Sequence, residues 1–131
     1  MTVRIDLDKR LKAWADTKSP VVPVAWEGSK FTKPTSGYFV ETLLLPADTI
    51  NASLNGVRGR ELGIYQINLW IPETNFKQGE ADILVNEIVM AFPVVPKLGE
   101  TSIERIPSKS RFESVNGYRV CAVTVLYRRE F

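Results

Sequence analysis

The side chains that could carry out covalent or acid–base chemistry are few in this sequence. The chain has 131 residues, no histidine and a single cysteine, Cys121. These residues alone cannot form a Ser-His-Asp or Cys-His catalytic arrangement, an internal disulfide or an all-Cys/His zinc site. Acid–base catalysis near neutral pH would need an Asp, Glu, Lys or Cys with a strongly shifted pKa. The composition therefore favours a protein that is not an enzyme and needs no cofactor.

The acidic residues offer no predicted metal site. The closest pairs are Asp6 with Asp8 and Glu80 with Asp82, and Glu113 stands alone. None of them follows the alternating oxygen-ligand spacing of a calcium loop. Solvated helix surface is the expected environment of these carboxylates. Cys121 alternates with apolar neighbours, so we expect a buried, small apolar side chain rather than a nucleophile.

Arginines at two places are the better candidates for function. Arg58 and Arg60 end a long stretch, residues 46–63, that is rich in Gly and Asn. The stretch is either a solvated tip or a contact with another chain or with nucleic-acid phosphate, because Arg binds carboxylate and phosphate bidentately. Arg128 and Arg129 lie near the C-terminus, where a frayed tail and docking in an oligomer are the two alternatives.

The charge distribution does not support sequence-specific DNA binding. Net charge is +2 and the pI is about 8.8, with six basic and three acidic residues after position 103. DNA-binding domains usually show a higher pI and a clustered basic face. The N-terminus has no continuous apolar segment of the signal-peptide kind, and no apolar run approaches the ~18 residues of a membrane span. We expect a cytosolic protein with no membrane partner.

Apolar periodicity predicts one α+β domain over residues 1–131. Helices are predicted over 2–16 and 79–92, with Ile83 and Met90 widening the apolar arc of the second. Predicted strands cover residues 21–26, 38–45, 62–71, 101–106 and 118–127. The expected fold is a mostly antiparallel sheet with both helices on one face. The strands 38–45 and 62–71 should form a long hairpin with a large flexible tip, and apolar residues on both sides of the first strand suggest burial of both faces at its C-terminal end.

The order of several short motifs resembles a known family. These are Pro-Val-Ala-Trp at 23–26, Leu-Leu-Leu-Pro-Ala at 43–47, Gly-Ile-Tyr-Gln at 63–66, a helix ending in Phe-Pro at 92–93, and a late strand ending in Tyr-Arg at 127–128. The chain resembles the phage tail terminator-like proteins of long-tailed phages and is similar in size and element order to the lambda-type minor tail protein U.

The resemblance implies a structural role without catalytic residues. Such proteins form a ring, usually hexameric, on the last ring of the tail tube, at the head-proximal end of the virion tail. They stop tube polymerisation and present a surface to the head-completion protein, while DNA passes through the hole without specific binding. The chain would then be assembled in the host cytoplasm. A head–tail connector or neck protein and, less well supported, a small enzyme without histidine are the alternatives.

The residues that we expect at the subunit or tail-tube interface come from the long loop and the C-terminal end. They are Asp48, Leu54, Arg58, Arg60, Arg128 and Arg129. Arginine supplies charge-assisted contacts there and Leu54 an apolar one. An exposed edge of the 38–45/62–71 hairpin, completed by a neighbour's strand, is a second way to close a ring.

Overall fold

A computed structural model describes residues 2–34, 36–47, 50–51 and 59–130 of the chain. Two α-helices lie in this part, α1 (Thr2–Asp16) and α2 (Gln78–Met90), together with a short 3₁₀ helix (Glu73–Asn75). The predicted first helix is confirmed with the same bounds. The second helix ends two residues earlier than predicted, before the Phe92-Pro93 pair.

The strands of the described residues join into one sheet. They are β1 (Val24–Ala25), β2 (Phe39–Pro46), β3 (Ile50–Asn51), β4 (Gly59–Pro72), β5 (Ser102–Ile103), β6 (Ser108–Lys109), β7 (Glu113–Val115) and β8 (Tyr118–Glu130). The spatial order is β1-β2-β4-β8-β5, with β3 paired to β4 and with β6 and β7 paired to β8. Only the β1–β2 pair among them is parallel. This arrangement confirms the predicted α+β class.

Both helices pack on one face of the sheet. Alternate residues of β4 and β8 point into this layer, as the period of two in a strand requires. The largest side chains buried there are Tyr65, Tyr127, Phe92, Leu7 and Leu11, each at most 2% exposed. Trp14 lies in the same core, as predicted from the stripe of the first helix.

Polar contacts hold the two helices to each other. Arg10 donates to the carbonyl of Ala91 just after the end of α2, where a cation satisfies an orphan acceptor. Glu87 of α2 accepts hydrogen bonds from Trp14 Nε1 at 3.2 Å and Lys18 Nζ at 2.7 Å. These contacts fix the two helices relative to each other.

The expectation of a solvated surface is wrong for Asp6 and Asp8. Asp8 accepts a hydrogen bond from the Tyr65 hydroxyl at 2.5 Å. Asp6 accepts from the hydroxyl of the fully buried Thr101 and from the Glu100 amide. Both carboxylates are therefore structural links from α1 to its neighbours. The helical pattern of α1 does not reveal these partners, which lie 57 and about 95 positions away in sequence.

The long hairpin differs from its prediction in extent. β2 and β4 pair from Phe39↔Trp70 to Pro46↔Gly63, and β3 continues the ladder to Asn51↔Gly59. Residues 48, 49 and 52–58, on which the predicted flexible tip falls, lie outside the described residues. The C-terminal arginines do not form a frayed tail within the described residues, because Arg128 and Arg129 are paired in β8 opposite Leu62 and Glu61.

In the described residues, the outer edges of the long strands β2 and β8 are occupied over most of their length, which corrects the expectation that the hairpin offers an open edge to a neighbour's strand. β4 lies between β2 and β8. Along the outer edge of β2, β1 pairs with Val40 and Glu41, and the Glu27 carboxylate accepts a hydrogen bond from the Leu44 amide. The strand ends at Pro46, which has no N–H to offer to another strand. β5, β6 and β7 pair in turn along the outer edge of β8.

Candidate interaction surface

The sheet face that points away from the helices, called here the open face, carries an apolar row at one end. Leu45 of β2, Ile64 of β4 and Leu126 of β8 are direct cross-strand neighbours in that row. Leu45 is 50% exposed, and Ile64 and Leu126 are half-buried. The expected burial of both faces at the end of β2 is therefore wrong for the single chain, since Leu44 is buried by the helix layer and Leu45 faces solvent.

Charged side chains lie beside the apolar row, further along the same face. Arg60 contacts Glu130 at 3.2 Å, and Arg128 contacts Glu104 at 3.3 Å and Glu130 at 3.7 Å. We call these four residues the charged end. Each side chain is between one third and three fifths exposed, so these pairs contribute little to folding stability. They remain available to exchange partners with another protein.

A shallow depression separates the apolar row from the charged end. It has a volume of about 470 Å³, and its apolar wall is formed by Leu62, Ile64 and Leu126. Glu104 and Arg105 form its polar rim. A recess of this kind, apolar inside and charged outside, has the composition of a small protein–protein contact.

On the rest of the open face, the polar side chains form hydrogen bonds with one another. Asn68 accepts from Gln66 at 2.8 Å and donates to Glu41 at 2.9 Å, and Trp70 Nε1 donates to the same carboxylate at 2.9 Å. Beyond this network, Lys33 lies over the rings of Trp70 and Tyr118. The accessible apolar surface of the open face is thus concentrated at the end with Leu45.

The predicted interface residues divide into three groups. Arg60 and Arg128 are brought together around Glu130 on the open face. Arg129 is opposite Glu61 in the ladder and points to the other side of the sheet. Asp48, Leu54 and Arg58 lie outside the described residues.

The structure adds Leu45, Ile64, Leu126 and Glu104 to the candidate surface. The run of three leucines at 43–45 was the available signal, because a strand with one solvated face should alternate apolar and polar residues. The run itself predicts burial on both sides, which is wrong for Leu45. Glu104 gave no signal, since its proximity to Arg128 depends on the pairing of β5 with β8.

Cys121 has the environment expected of a core residue. It is 1% exposed, and burial raises the pKa of its thiol. A buried thiol with a raised pKa is a poor nucleophile. In the part of the chain that the structure describes, no three His, Cys, Asp or Glu residues are grouped so that they could hold a metal ion. None of the described helices is long and apolar enough to span a membrane.

Comparison with known proteins shows which family the chain belongs to. The phage tail terminator family, described as phage tail terminator protein, matches residues 2–125. The chain belongs to this family. One solved structure, of a protein designated only by a sequence identifier, superimposes with a TM-score of 0.80 and 26% identity over 98% of this chain and 94% of that one. A search of curated proteins found no significant match.

Membership in the tail terminator family establishes a structural role in a phage tail. The resemblance expected from the motif order is thereby confirmed, and the match extends over nearly the whole chain. The protein is a component of the virion tail, from a family that is structural rather than enzymatic. The open face with its apolar row and charged end is the surface on which such a role can be argued in detail.

Proposed function

We propose that this tail terminator caps the tail tube of a long-tailed phage, ends tube polymerisation and forms the surface that the head-completion protein meets. The apolar row of Leu45, Ile64 and Leu126 carries the proposal. These side chains lie on a rigid ladder, yet the single chain leaves them partly open to water. An apolar patch with a charged rim is typical of a protein contact rather than of a free surface.

A closed ring of identical copies, with six the expected number, fits the size of the chain. A 131-residue domain has a radius of gyration of about 14 Å and a diameter of about 36 Å as a sphere. Six such spheres in a ring leave a hole about as wide as one sphere, which admits a DNA duplex. Five spheres leave a smaller hole, so the size supports a ring without selecting its number of subunits.

DNA is proposed to pass through the ring without specific binding. The charged end pairs its arginines with Glu104 and Glu130 instead of presenting them as a basic cluster. A net charge of +2 over 131 residues provides little general attraction to phosphate. Tight DNA binding at low salt that weakens steeply as salt rises would contradict this part of the proposal.

Electron microscopy of tails is the direct test of the capping role. Phage lacking the protein should produce overlong tubes if the protein ends polymerisation. Tails of normal length that fail to join heads would instead identify a head–tail connector. The two results separate the proposed role from its main alternative.

The charged end is tested by the double variant Arg60→Glu/Arg128→Glu. Both changes place a carboxylate beside Glu130, so a partner that uses these arginines should be lost. The control is Arg111→Glu, which makes the charge change of one of the two substitutions at an exposed residue that lines a different depression, together with Gln78 and Arg119. A folded double variant that still completes normal tails would show that the charged end is not part of the interface.

A further inference from the structure

A second exposed apolar patch lies on the opposite side of the protein, on the outer surface of the helix layer. In α2, Ala81, Val85 and Ile88 pack on the sheet. Ile83 and Met90, seven residues apart and so on one helix face, point away from it and are 61% and 77% exposed. The apolar arc that these two residues widen is therefore not buried at their positions.

Two more apolar side chains are exposed just after the end of the helix. Val95 is 79% exposed and Val94 is 39% exposed. Met90 also lines a groove between the two helices, together with Ala13, Trp14 and Ala91. We call Ile83, Met90, Val94 and Val95 the helix patch. A methionine that protrudes this far is well suited to fill a recess, because its flexible thioether adapts to irregular surfaces.

We propose that the helix patch of one copy seats on the apolar row of the next copy, so that each subunit contacts its neighbours through two different surfaces. This proposal rests on the proposed ring and specifies its interface. A closed ring requires such a head-to-tail contact, since a patch that pairs with itself produces only a dimer. The two patches lie in different layers of the fold, one on the sheet and one on the helices, as this kind of contact needs.

Shape and charge support the pairing. The apolar row borders a depression of about 470 Å³, and Met90 of the helix patch is a flexible side chain that is 77% exposed and could enter such a depression. Between Gln78 and Met90, α2 carries three acidic residues, Glu80, Asp82 and Glu87, and no basic one. On the opposing surface, the exposed Arg105 lies on the rim of the depression, whereas Arg60 and Arg128 are already paired with Glu130 and Glu104. Opposite charges around an apolar contact favour the correct partner and orientation.

Site-specific crosslinking tests the pairing on the full chain. Leu45→Cys and Met90→Cys place thiols on the two patches, and both positions are at least half exposed, so the fold should tolerate the changes. The native Cys121 is buried and serves as the wild-type background. A short bis-maleimide should crosslink concentrated mixtures of the two variants, with at least tenfold more adduct than from either variant alone.

The control pair is Leu45→Cys mixed with Val21→Cys, since Val21 is 57% exposed and lies outside both patches. The proposed contact would be overturned if this control pair gave as much adduct as the mixture of Leu45→Cys and Met90→Cys. It would also be overturned if Leu45→Cys alone gave as much adduct as that mixture. Rings on wild-type tails without any mixed adduct would also overturn it and would leave the capping role standing. Absence of every adduct and of rings on wild-type tails would refute the ring and this pairing together.

Mixing two blocked variants supplies an independent readout. Leu45→Asp retains the helix patch, and Met90→Asp retains the apolar row. Each variant alone should fail to form rings, and the mixture should stop at one-to-one dimers in sedimentation, because only one intact contact can form between them. Rings from either variant alone would contradict the proposal.

Discussion

The hydroxyl of Tyr127 lies over Gly63, its direct partner on the neighbouring strand. A Cβ at position 63 would lie 2.5 Å from that hydroxyl oxygen and 2.7 Å from the backbone oxygen of Leu45. Tyr127 is 2% exposed, and the Leu45 oxygen belongs to the backbone of the paired strand, so it cannot move aside without shifting the ladder. Glycine is therefore required by the close approach of a tyrosine ring across the ladder, beside the start of the apolar row.

Gly63→Ala should destabilise the fold. Overpacking a closed site typically costs about 1–3 kcal/mol, and we expect a loss in this range in the free energy of unfolding measured with urea. Gly79→Ala is the matched control, because nothing lies within 4 Å of a Cβ there and alanine favours the helix. Equal stability of the two variants would show that the site around Gly63 has room for a methyl group.

Asp8 and Glu87 should affect stability with opposite dependence on pH. Burial raises the pKa of Asp8 above 3.8, against the opposing effect of the Tyr65 hydrogen bond. The folded state then binds more protons than the unfolded state between 3.8 and the raised pKa, so this contribution to stability falls as pH rises through that window. Asp8→Asn should therefore gain in stability relative to wild type on going from acid to neutral pH.

The hydrogen bond from Lys18 lowers the pKa of Glu87 below 4.5, and Trp14 acts in the same direction. The stability that Glu87 contributes is present above 4.5 and is lost as pH falls through the lowered pKa. Glu87→Gln should therefore lose stability relative to wild type as pH rises to neutral. Urea unfolding at a series of pH values measures both trends, and parallel curves for the two variants would contradict the assignment.

Glu27 protects the edge of β2. Its carboxylate accepts a hydrogen bond from the Leu44 amide at 2.9 Å and forms an ion pair with Arg4 at 2.9 Å, and these two contacts lower the pKa of Glu27. Glu27→Ala leaves the Leu44 N–H without its carboxylate, so we expect a stability loss of about 1–2 kcal/mol and more aggregation with rising concentration. Light scattering and urea unfolding measure the two effects, and Lys12→Ala, which breaks only an exposed helix pair, is the control.

Leu45→Ser should separate assembly from folding. The side chain is half exposed, so the change should shift the unfolding free energy by less than about 1 kcal/mol. Completed tails should nevertheless be lost if the apolar row is an interface. Val21→Ser removes an equally exposed apolar side chain elsewhere, and tails that fail with both variants would point to a general defect.

Cys121 should report on opening of the sheet. Its burial and raised pKa predict that the folded protein reacts with a thiol reagent orders of magnitude more slowly than the urea-unfolded chain. Stopped-flow or spectrophotometric thiol titration measures both rates. Rapid reaction of the folded protein would show that β8 is accessible at its centre, which the pairing with β4 and β7 contradicts.

Local patterns predicted the elements well and their neighbours less well. The stripe of Val3, Leu7, Leu11 and Trp14 correctly defined α1 and its buried face. The alternation in β8 correctly placed Cys121 in the core. Motif order indicated the family, because family motifs keep their order even when each is short.

Contacts between distant segments could not be read from local patterns. The Asp8–Tyr65 hydrogen bond and the grouping of Arg60, Arg128 and Glu104 depend on strand register and on how the helices cross the sheet. Ile83 and Met90 look like core residues in an apolar helix sequence, since periodicity does not state how wide a face the sheet will cover. For the same reason, the sequence pattern did not show that Leu45 is exposed.

The pairing of β4 with β8 has a consequence for how the protein folds. Its register spans sequence separations from 46 residues at Pro72↔Tyr118 to 70 residues at Arg60↔Glu130. Local structure cannot form this central ladder, and proteins dominated by such distant pairings fold slowly. During synthesis on the ribosome, β4 has no pairing partner on this side until β8 is made, and β8 follows every other described element. The apolar sides of α1, α2 and β4 therefore stay without their final cover until β8 has been synthesised, and this interval is when the chain is most exposed to aggregation.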